Sequence, residues 1–359
     1  MMRPTQTRHI PRTILTLTAA SLAGAAAGAG EPIHTDGAGI DAVETNENVT
    51  PVEPRPVYPG PRVTDAAVGL IDVVQINNEN QNESVELRVP AGARLFSFTK
   101  QNRGDYHLGF GTGDDLANGV VLVAPRQLER TNTTGQNAGG NIGGDRTATV
   151  SIHRKVDARD QFVAVHGAPS GSEMNLDIAA VFFPFDKGFV GGHTLNGGVN
   201  NAPMTEIVAS NDIRLNADFV DLQGIDGVYT LNLDRSGYDA DDGVLLVNGA
   251  DNEDNFALSR PEPDGTFRIY CKDNGNNAAG FENDPVAFVF LPFDLPGLVA
   301  GQIAENSGAA PTILKSTGGF RVSPFGEGGV LVRIDGVTDG TSGALLVSPQ
   351  GGGTRTQDN

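Results

Sequence analysis

Acidic loops are the recurring polar feature of this sequence, and they carry the oxygen atoms that calcium binds. Asp239, Asp241 and Asp242 precede Gly243 in the stretch YDADDG. Calcium takes about six to eight oxygen ligands, many of them from carboxylates in loops. The three aspartates are therefore the candidate metal ligands, and calcium is the candidate cofactor. The spacing Asp-x-Asp-Asp-Gly is one residue short of an EF-hand loop, and Asp-Gly is common in turns, so a solvated turn is the favoured interpretation.

Comparable acidic residues precede a glycine at two corresponding places in the chain. They are Asp114 and Asp115 before Gly119, and Asp335 and Asp339 before Gly343. A second cluster, DNEDN at 251–255, follows the apolar run after Gly243 and could add ligands. The acidic loops thus recur together with the segments around them.

None of the short motifs that mark common catalytic or nucleotide-binding sites occurs in the chain. The histidines are scattered without ligand spacing, and the Gly-rich stretch 109–113 leads into an acidic turn instead of a helix. Cys271 is the single cysteine, which excludes an internal disulfide, and its alternation with Phe267 and Ile269 predicts a buried core thiol. We therefore predict no catalytic residue and no residue binding an organic cofactor. A non-enzymatic protein is favoured, although catalysis stays open.

The acidic loops connect two kinds of predicted strand. Each loop follows a segment in which polar and apolar residues alternate, and each precedes a glycine and an unbroken apolar run. Alternation is typical of a strand with one buried face, and a short continuous apolar run of a strand buried on both faces. Three copies of this pattern occupy 105–123, 228–247 and 329–347.

The segments that follow the apolar run also recur. QFVAVHG at 161–167 matches TFRIYCK at 266–272, and DIAAVFFPFDKGFVGG at 177–192 matches PVAFVFLPFDLPGLVAG at 285–301. The proline after each apolar run is expected to end its strand. Asp186 and Asp294 are 108 positions apart, a period too long for a solenoid and typical of tandem domains. We predict an all-β fold of tandem antiparallel β-sandwich-like units of about 100 residues, with a β-helix or solenoid as the alternative.

Composition divides the chain into five segments. Residues 1–29 have the basic start, short apolar segment and small-residue cleavage sites of a signal peptide, and 30–62 is a Pro-rich tether expected to be disordered. A first β unit is predicted at 63–195, with a long Gly/Asn-rich loop at 131–145. A second unit is predicted at 196–303. The third, 304–359, is an incomplete copy, and we expect the chain to be a fragment.

The net charge restricts the partners. The chain has 25 basic and 44 acidic residues, and three arginines lie in the leader, so the mature chain carries a net charge of −22 (22 basic against 44 acidic). Such a surface repels nucleic acid and anionic lipid. We expect a secreted, extracellular or cell-surface protein without a membrane span in the mature chain. The favoured role is structural or adhesive, with extracellular glycans or other surface proteins as partners. A carbohydrate-binding accessory module and the non-catalytic part of a larger extracellular hydrolase are the alternatives.

Two resemblances accompany these patterns. The rhythm GVLLV…FVFLPFD…VAG resembles tandem repeats in large secreted β-rich proteins of environmental bacteria. The strand order of one unit is similar to that of the small lectin sandwiches of the H-type. The first resemblance implies secretion and the second implies sugar binding. No sugar-binding motif of the H-type family can be placed on this sequence, so no residue is carried over.

Overall fold

The structure of the chain is a computed structural model. It describes residues 13–21, 62–73, 85–88, 97–100, 105–110, 118–126, 148–153, 161–167, 172–173, 177–194, 207–210, 214–217, 227–233, 237–249, 256–272, 285–305, 310–325, 330–337 and 343–351. Strands dominate, and the elements within these ranges include no α-helix. The prediction of an all-β fold is confirmed.

Strands β1 to β23 follow one another along the chain, with one-turn 3-10 helices at Val63–Asp65 and Phe185–Lys187. The strands are β1 (Thr13–Ser21), β2 (Ala67–Val73), β3 (Val85–Arg88), β4 (Ser97–Lys100), β5 (Asp105–Gly109), β6 (Gly119–Arg126), β7 (Ala148–His153), β8 (Gln161–Gly167), β9 (Ser172–Glu173), β10 (Asp177–Pro184), β11 (Val190–Thr194), β12 (Ile207–Ala209), β13 (Arg214–Ala217), β14 (Val228–Asn232), β15 (Gly243–Gly249), β16 (Phe256–Pro261), β17 (Phe267–Lys272), β18 (Val286–Pro292), β19 (Leu298–Glu305), β20 (Thr312–Ser316), β21 (Phe320–Pro324), β22 (Val330–Ile334) and β23 (Gly343–Gln350).

These strands form five sheets. The first inner sheet has the order β3-β2-β10-β6, and the second inner sheet has the order β12-β11-β18-β15. The first outer sheet is β4-β5-β8-β7, with β9 paired to β8. An eight-stranded sheet has the order β13-β14-β17-β16-β23-β1-β19-β20, and β21 and β22 form a hairpin.

Almost all pairings are antiparallel. The exception among the described strands is a single parallel bridge between β16 and β23, at Ser259 and Gln350. Coils of a β-helix pair in parallel along their whole length, so this topology does not support the solenoid alternative.

The unbroken apolar runs form strands that are buried on both faces, as their composition predicts. Every residue of β10 and of β18 is buried, and so are Val120 to Val123 in β6 and Val244 to Val247 in β15. Pro184 and Pro292 are the last residues of β10 and β18. Both prolines end their strands because they have no N–H to donate to a ladder.

One hydrophobic core lies between the inner sheets and the later strands. It includes Val181 and Phe183 from β10 and Val289 and Leu291 from β18. Strands β19 and β23 contribute a third side of the same core, with Leu298, Ala300, Ala344 and Leu346. A narrow apolar cleft at its centre is lined by side chains from all three sides: Val63, Ala66, Val181, Phe183, Leu291, Leu298, Ala344 and Leu346.

The opposite faces of the inner sheets are covered by the outer strands. Phe110 stacks on Phe182 with ring centroids 4.3 Å apart, which joins the first outer sheet to β10. A second core buries Phe288 and Phe290 of β18 against β14 and β17. Cys271 belongs to this core and is fully buried, as its alternation predicts.

Strand β23 departs from the expectation of burial on both faces. Ala344 and Leu346 are buried, but Leu345 and Val347 are 39% and 38% exposed. The strands β13-β14-β17-β16 lie next to β23 in the same sheet, whereas they face the second inner sheet. The small core over β19 comes instead from the β21–β22 hairpin, through Phe320 and its neighbours. A continuous apolar run therefore forms a strand buried on both faces only where an outer layer covers it.

Several expectations fall outside or across the described residues. The tether 30–62, the loop 131–145 and the second acidic cluster 251–255 lie outside them, apart from Arg62. Within residues 1–29, the predicted signal peptide, Thr13–Ser21 is a strand of the eight-stranded sheet. Among the described residues, no helix has the length and hydropathy that a membrane crossing requires.

Candidate functional site

The acidic loop before Gly243 lies where three segments meet. The loop joins β14 to β15, and Gly237 enters it with a φ of 78°, a conformation that glycine adopts without steric cost. The Ala240 N–H donates to the carbonyl of Gly265, 3.0 Å away in the turn between β16 and β17. The Phe293 N–H donates to the carbonyl of Asp242 at 2.9 Å, which fixes the turn after β18. The loop is thus held on both sides by backbone hydrogen bonds.

The carboxylates of this loop bond to its own backbone. Asp242 Oδ2 accepts from the Asp239 N–H at 3.0 Å, and Asp239 Oδ1 accepts from the Asp241 N–H at 2.7 Å. The Asp242 N–H donates to the carbonyl of Asp239 at 3.1 Å. This is the hydrogen bonding of an Asx turn, in which an aspartate side chain replaces a backbone acceptor. The pattern explains the sequence Asp-x-Asp-Asp-Gly without an ion.

Lys315 of β20 is the cation that approaches the loop. Its Nζ contacts Asp241 Oδ1 and lies 3.4 Å from the Asp241 carbonyl oxygen. The Asp241 side chain is 81% exposed and the Lys315 side chain 37% exposed, so water screens this ion pair. A calcium ion at Asp241 would compete with the ammonium group for the same oxygen.

The three candidate ligands lie together on one exposed loop. No group of three or more His, Cys, Asp or Glu side chains converges on a possible metal position in the described part of the chain. Asp335 is not part of this loop. Its Oδ1 lies 3.2 Å from Nη2 of Arg321 at the β21–β22 hairpin. Asp114, Asp115 and Asp339 lie outside the described residues. Calcium at Asp239, Asp241 and Asp242 therefore stays a prediction.

We predict that millimolar calcium raises the melting temperature of the protein if this loop binds it, because a ligand that binds the folded state stabilises it. Asp241→Asn is then expected to remove the gain. Asp335→Asn is the matched control, because it also removes an exposed carboxylate that pairs with a basic side chain. Melting curves that coincide in calcium and in chelator would show that the loop does not bind calcium and is a turn only.

Tyr238 covers the inner side of the acidic loop. The side chain is half-buried, and its ring lies 5.5 Å from the ring of Phe290. Burial raises the pKa of the phenol, and the negative charges of Asp294 and Asp242 raise it further. The phenol therefore stays protonated at neutral pH, which suits a packing and hydrogen-bonding role.

A raised phenol pKa makes stability depend on pH at the alkaline end. The folded state holds the Tyr238 proton more tightly than the unfolded state, so the contribution is complete below the unfolded pKa of about 10. It is lost as the pH rises through the folded pKa. We expect the melting temperature of the wild type to fall more steeply above about pH 10 than that of Tyr238→Phe, which has no phenol to ionise. Parallel curves would contradict this.

The sequence analysis did not predict two polar residues that have a structural role. The Asn248 side chain accepts from the Val123 N–H at 2.9 Å and donates to the Val123 carbonyl at 3.0 Å. Ser348 Oγ makes the same two contacts with Val247, at 3.2 and 3.4 Å. Val123 and Val247 lie on β6 and β15, the edge strands of the two inner sheets. Each side chain thus bonds the N–H and C=O groups of one residue at a sheet edge, where another strand could otherwise pair.

The signal for these residues was present in the sequence. Asn248 and Ser348 directly follow the runs GVLLV and GALLV, at positions 100 residues apart. Ser348 is buried and Asn248 is half-buried, and polar groups at such positions need partners, because an unsatisfied buried polar group is costly. The corresponding residue of the first copy is Ala124, which has no polar side chain.

Comparison of the chain with protein-family models, with curated proteins and with solved structures finds no match in any of the three.

Proposed function

We propose that the protein is a secreted or cell-surface, non-enzymatic array of tandem β-sandwich-like units of about 100 residues, with a structural or adhesive binding role. The observation that carries the proposal is the agreement between the sheets. Numbered by their order in the chain, the strands of the two inner sheets follow the same order, and so do β4-β5-β8-β7 and β13-β14-β17-β16. Each inner sheet packs against the outer layer formed by its own segment of the chain.

The agreement extends to the register. In the second inner sheet, Phe288 of β18 lies opposite Val247 on one side and Gly192 on the other. In the first, Ala180 of β10 lies opposite Val123 and Gly69. Val123 and Val247 are both the fifth residue counted from the glycine that starts the run. A shift by one residue would exchange the two faces of each strand, so the shared register supports one unit used twice.

The strand pairing favours unit boundaries at the turns that follow β10 and β18. Strand β11 pairs with β12 and β18, which supports including 190–194 in the second unit. Strand β19 pairs with β20, which supports including it in the third. The boundaries would then lie at 185–189 and 293–297, a few residues before the limits 195 and 303 suggested by composition.

A matched pair of substitutions tests the array. Asn248→Ala removes the side chain that joins the second unit to the first, and leaves the Val123 N–H and carbonyl without these contacts. Ser348→Ala does the same to Val247. Each is expected to lower the free energy of unfolding by about 1–3 kcal/mol. Ser323→Ala, at an exposed position of β21, is the control for the loss of a polar side chain outside this junction. Unchanged stability in both junction variants would argue against packed, successive units.

Export is the second part of the proposal. Its support is the basic and apolar start of the chain together with the large acidic excess of the remainder. Expressed from its own start codon in an exporting bacterial host, the chain is expected outside the cytoplasm and shortened by about 29 residues. A variant with the three leader arginines replaced by glutamine should be exported less. Retention of the full-length chain in the cytoplasm would contradict export.

The binding role is tested by classes of partner. We expect no turnover of polysaccharide, ester or peptide substrates by the purified chain, because the Asp239 and Asp242 carboxylates serve as acceptors within their own turn. Binding to extracellular matrix or cell-envelope preparations is the expected positive result. Selective binding on a glycan array would shift the assignment to a carbohydrate-binding module, and substrate turnover would overturn the non-enzymatic proposal.

A further inference from the structure

The strands β19 and β23 are not hydrogen-bonded to each other, because β1 lies between them. One half of the eight-stranded sheet has the strand order β20-β19-β1-β23. In the first inner sheet, the place between β2 and β6 is taken by β10. In the second, the place between β11 and β15 is taken by β18. A segment from the start of the chain therefore occupies the position that the closing apolar strand occupies elsewhere.

Strand β1 is antiparallel to both neighbours over its length, as β10 and β18 are to theirs. Leu17 lies opposite Val347 on one side and Gly301 on the other. Val347 is the fifth residue from the glycine that begins its run, and Gly301 ends the sequence VAG that matches VGG at Gly192. Leu17 thus has the register that Phe288 has in the second inner sheet. Register agreement with two independent neighbours is a specific match, because a one-residue slip would exchange the faces.

The walls of this slot carry apolar side chains on both faces, together with the buried polar side chains of Gln302, Ser348 and Gln350. Ala344 and Leu346 of β23, with Ala300 of β19, belong to the core shared by the inner sheets. On the other face, Val299 and Ile303 of β19 pack with the β21–β22 hairpin. The occupant, TILTLTAAS, consists of Thr, Leu, Ile, Ala and a terminal Ser without any charge. Its β-branched and apolar residues suit a strand between two partners.

We propose that the third unit is a strand-acceptor site, and that Thr13–Ser21 of the same chain is the strand that completes it. The inference rests on the tandem architecture proposed above. The ligand class is an uncharged β-strand of about eight residues, rich in Leu, Ile, Ala and Thr, that binds antiparallel to both walls through main-chain hydrogen bonds. Addition of an extended segment to open sheet edges is a known mode of peptide recognition.

The acceptor site links the last unit to the first residues of the chain. Thr13–Ser21 lies inside the stretch with leader composition, so cleavage near Ala27 or Ala29 would release the strand. The precursor would then carry a filled slot, and the processed chain an open one with two unpaired edges at β19 and β23. Open edges of this kind pair readily with another strand.

Engineered cysteine pairs in the full chain test the occupant. Leu17→Cys with Val347→Cys and Thr18→Cys with Leu346→Cys place thiols at two adjacent register pairs. Directly opposite residues alternate between close and wide spacing in an antiparallel ladder, so one of the two pairs suits a disulfide. Leu17→Cys with Leu331→Cys is the matched control, because Leu331 is 36% exposed in the same unit and pairs instead with Ser323. The native Cys271 is fully buried and stays in place.

The expected result is an intrachain disulfide in one register pair, seen as a faster monomer band without reductant, and none in the control. Interchain dimers from the register pair would overturn the assignment of the strand to its own chain. Equal cross-linking in the control, or none in either register pair, would overturn the site.

Hydrogen exchange of the unmodified full chain, produced without export, separates this proposal from the architecture beneath it. We expect the amides of both Thr13–Ser21 and Val286–Pro292 to exchange at least about 100-fold more slowly than an unstructured peptide. Fast exchange at Thr13–Ser21 with slow exchange at Val286–Pro292 would overturn the strand-acceptor site and leave the tandem architecture standing. Fast exchange at both would overturn the architecture as well.

Discussion

Replacing Phe290 with alanine is expected to lower the free energy of unfolding by about 3–5 kcal/mol, the range for a large aromatic side chain in a packed core. Phe290 is 1% exposed at the centre of β18. Its ring centroid lies 5.5 Å from that of Tyr238 and 6.0 Å from that of Phe267, so it joins the acidic loop and β17 to the inner sheet. The backbone at Gly243 also approaches this ring, and a Cβ built there would lie 2.6 Å from Phe290 Cζ. Truncation would open a cavity at this junction.

The matched control for this substitution is Phe325→Ala. Phe325 is 68% exposed after β21, so the same chemical change should alter stability by at most about 0.5 kcal/mol. Urea melts monitored by circular dichroism measure both variants. A loss below about 1 kcal/mol for Phe290→Ala would show that β18 is not where the stability lies.

The aromatic residues around the two Phe-Asp turns show how far the sequence predicts burial. Phe182, Phe288 and Phe290 are buried, as their place in apolar runs indicates. Phe185 and Phe293 are only partly buried, and they pack against the edge of the shared core. Both follow the proline that ends the strand, so they lie in a turn at the rim. Periodicity locates the strand, but the turn geometry after it decides how much of the next side chain is covered.

The strands themselves follow from local composition. Tyr229 and Leu231 alternate with half-buried residues in β14, and the run after Gly243 is buried on both faces. These are local properties, because burial of one or both faces leaves a period in the sequence. The acidic loop was likewise anticipated as a turn, although its anchoring to the Gly265 carbonyl depends on a distant hairpin.

The contacts between distant segments could not be predicted from local composition. Nothing near Asn248 indicates that its partner is Val123, 125 positions earlier in the chain. Likewise, TILTLTAAS has the composition of a leader, and its pairing partners in β19 and β23 follow 278 to 336 residues later in the chain (298 − 20 and 350 − 14). Long-range pairing is set by which strand edges remain open after local strands have formed. In the sequence, the repeat is the only indication of which strands will pair.

Removing residues 1–29 is expected to open the third unit. The structure places Thr13–Ser21 between β19 and β23, so its loss would leave both strands with an unpaired edge. The remaining β21–β22 hairpin rests on a small core around Phe320 and Ile303. A two-stranded hairpin is marginally stable in water by itself, so this part of the chain should unfold locally at a low free energy.

Limited proteolysis measures the effect. In the chain from residue 30 onward, we expect cleavage between Ile303 and Phe320 to be at least about 10-fold faster than in the full chain, because the cleavage rate follows the population of the open form. The first two units should remain as a resistant fragment. Deleting 1–12 alone is the matched control, because it retains Thr13–Ser21 and should leave the cleavage rate unchanged.

Addition of the peptide TILTLTAAS to the shortened chain should restore resistance in a concentration-dependent manner, because a ligand of the folded state lowers the open population. A version with aspartate in place of Leu15 and Leu17 should not, since its two charges would lie opposite Ile303 and Val347 in the ladder. If the shortened chain proves as resistant as the full chain without any peptide, β19 to β23 form a stable unit by themselves, and the N-terminal strand is not needed for their stability.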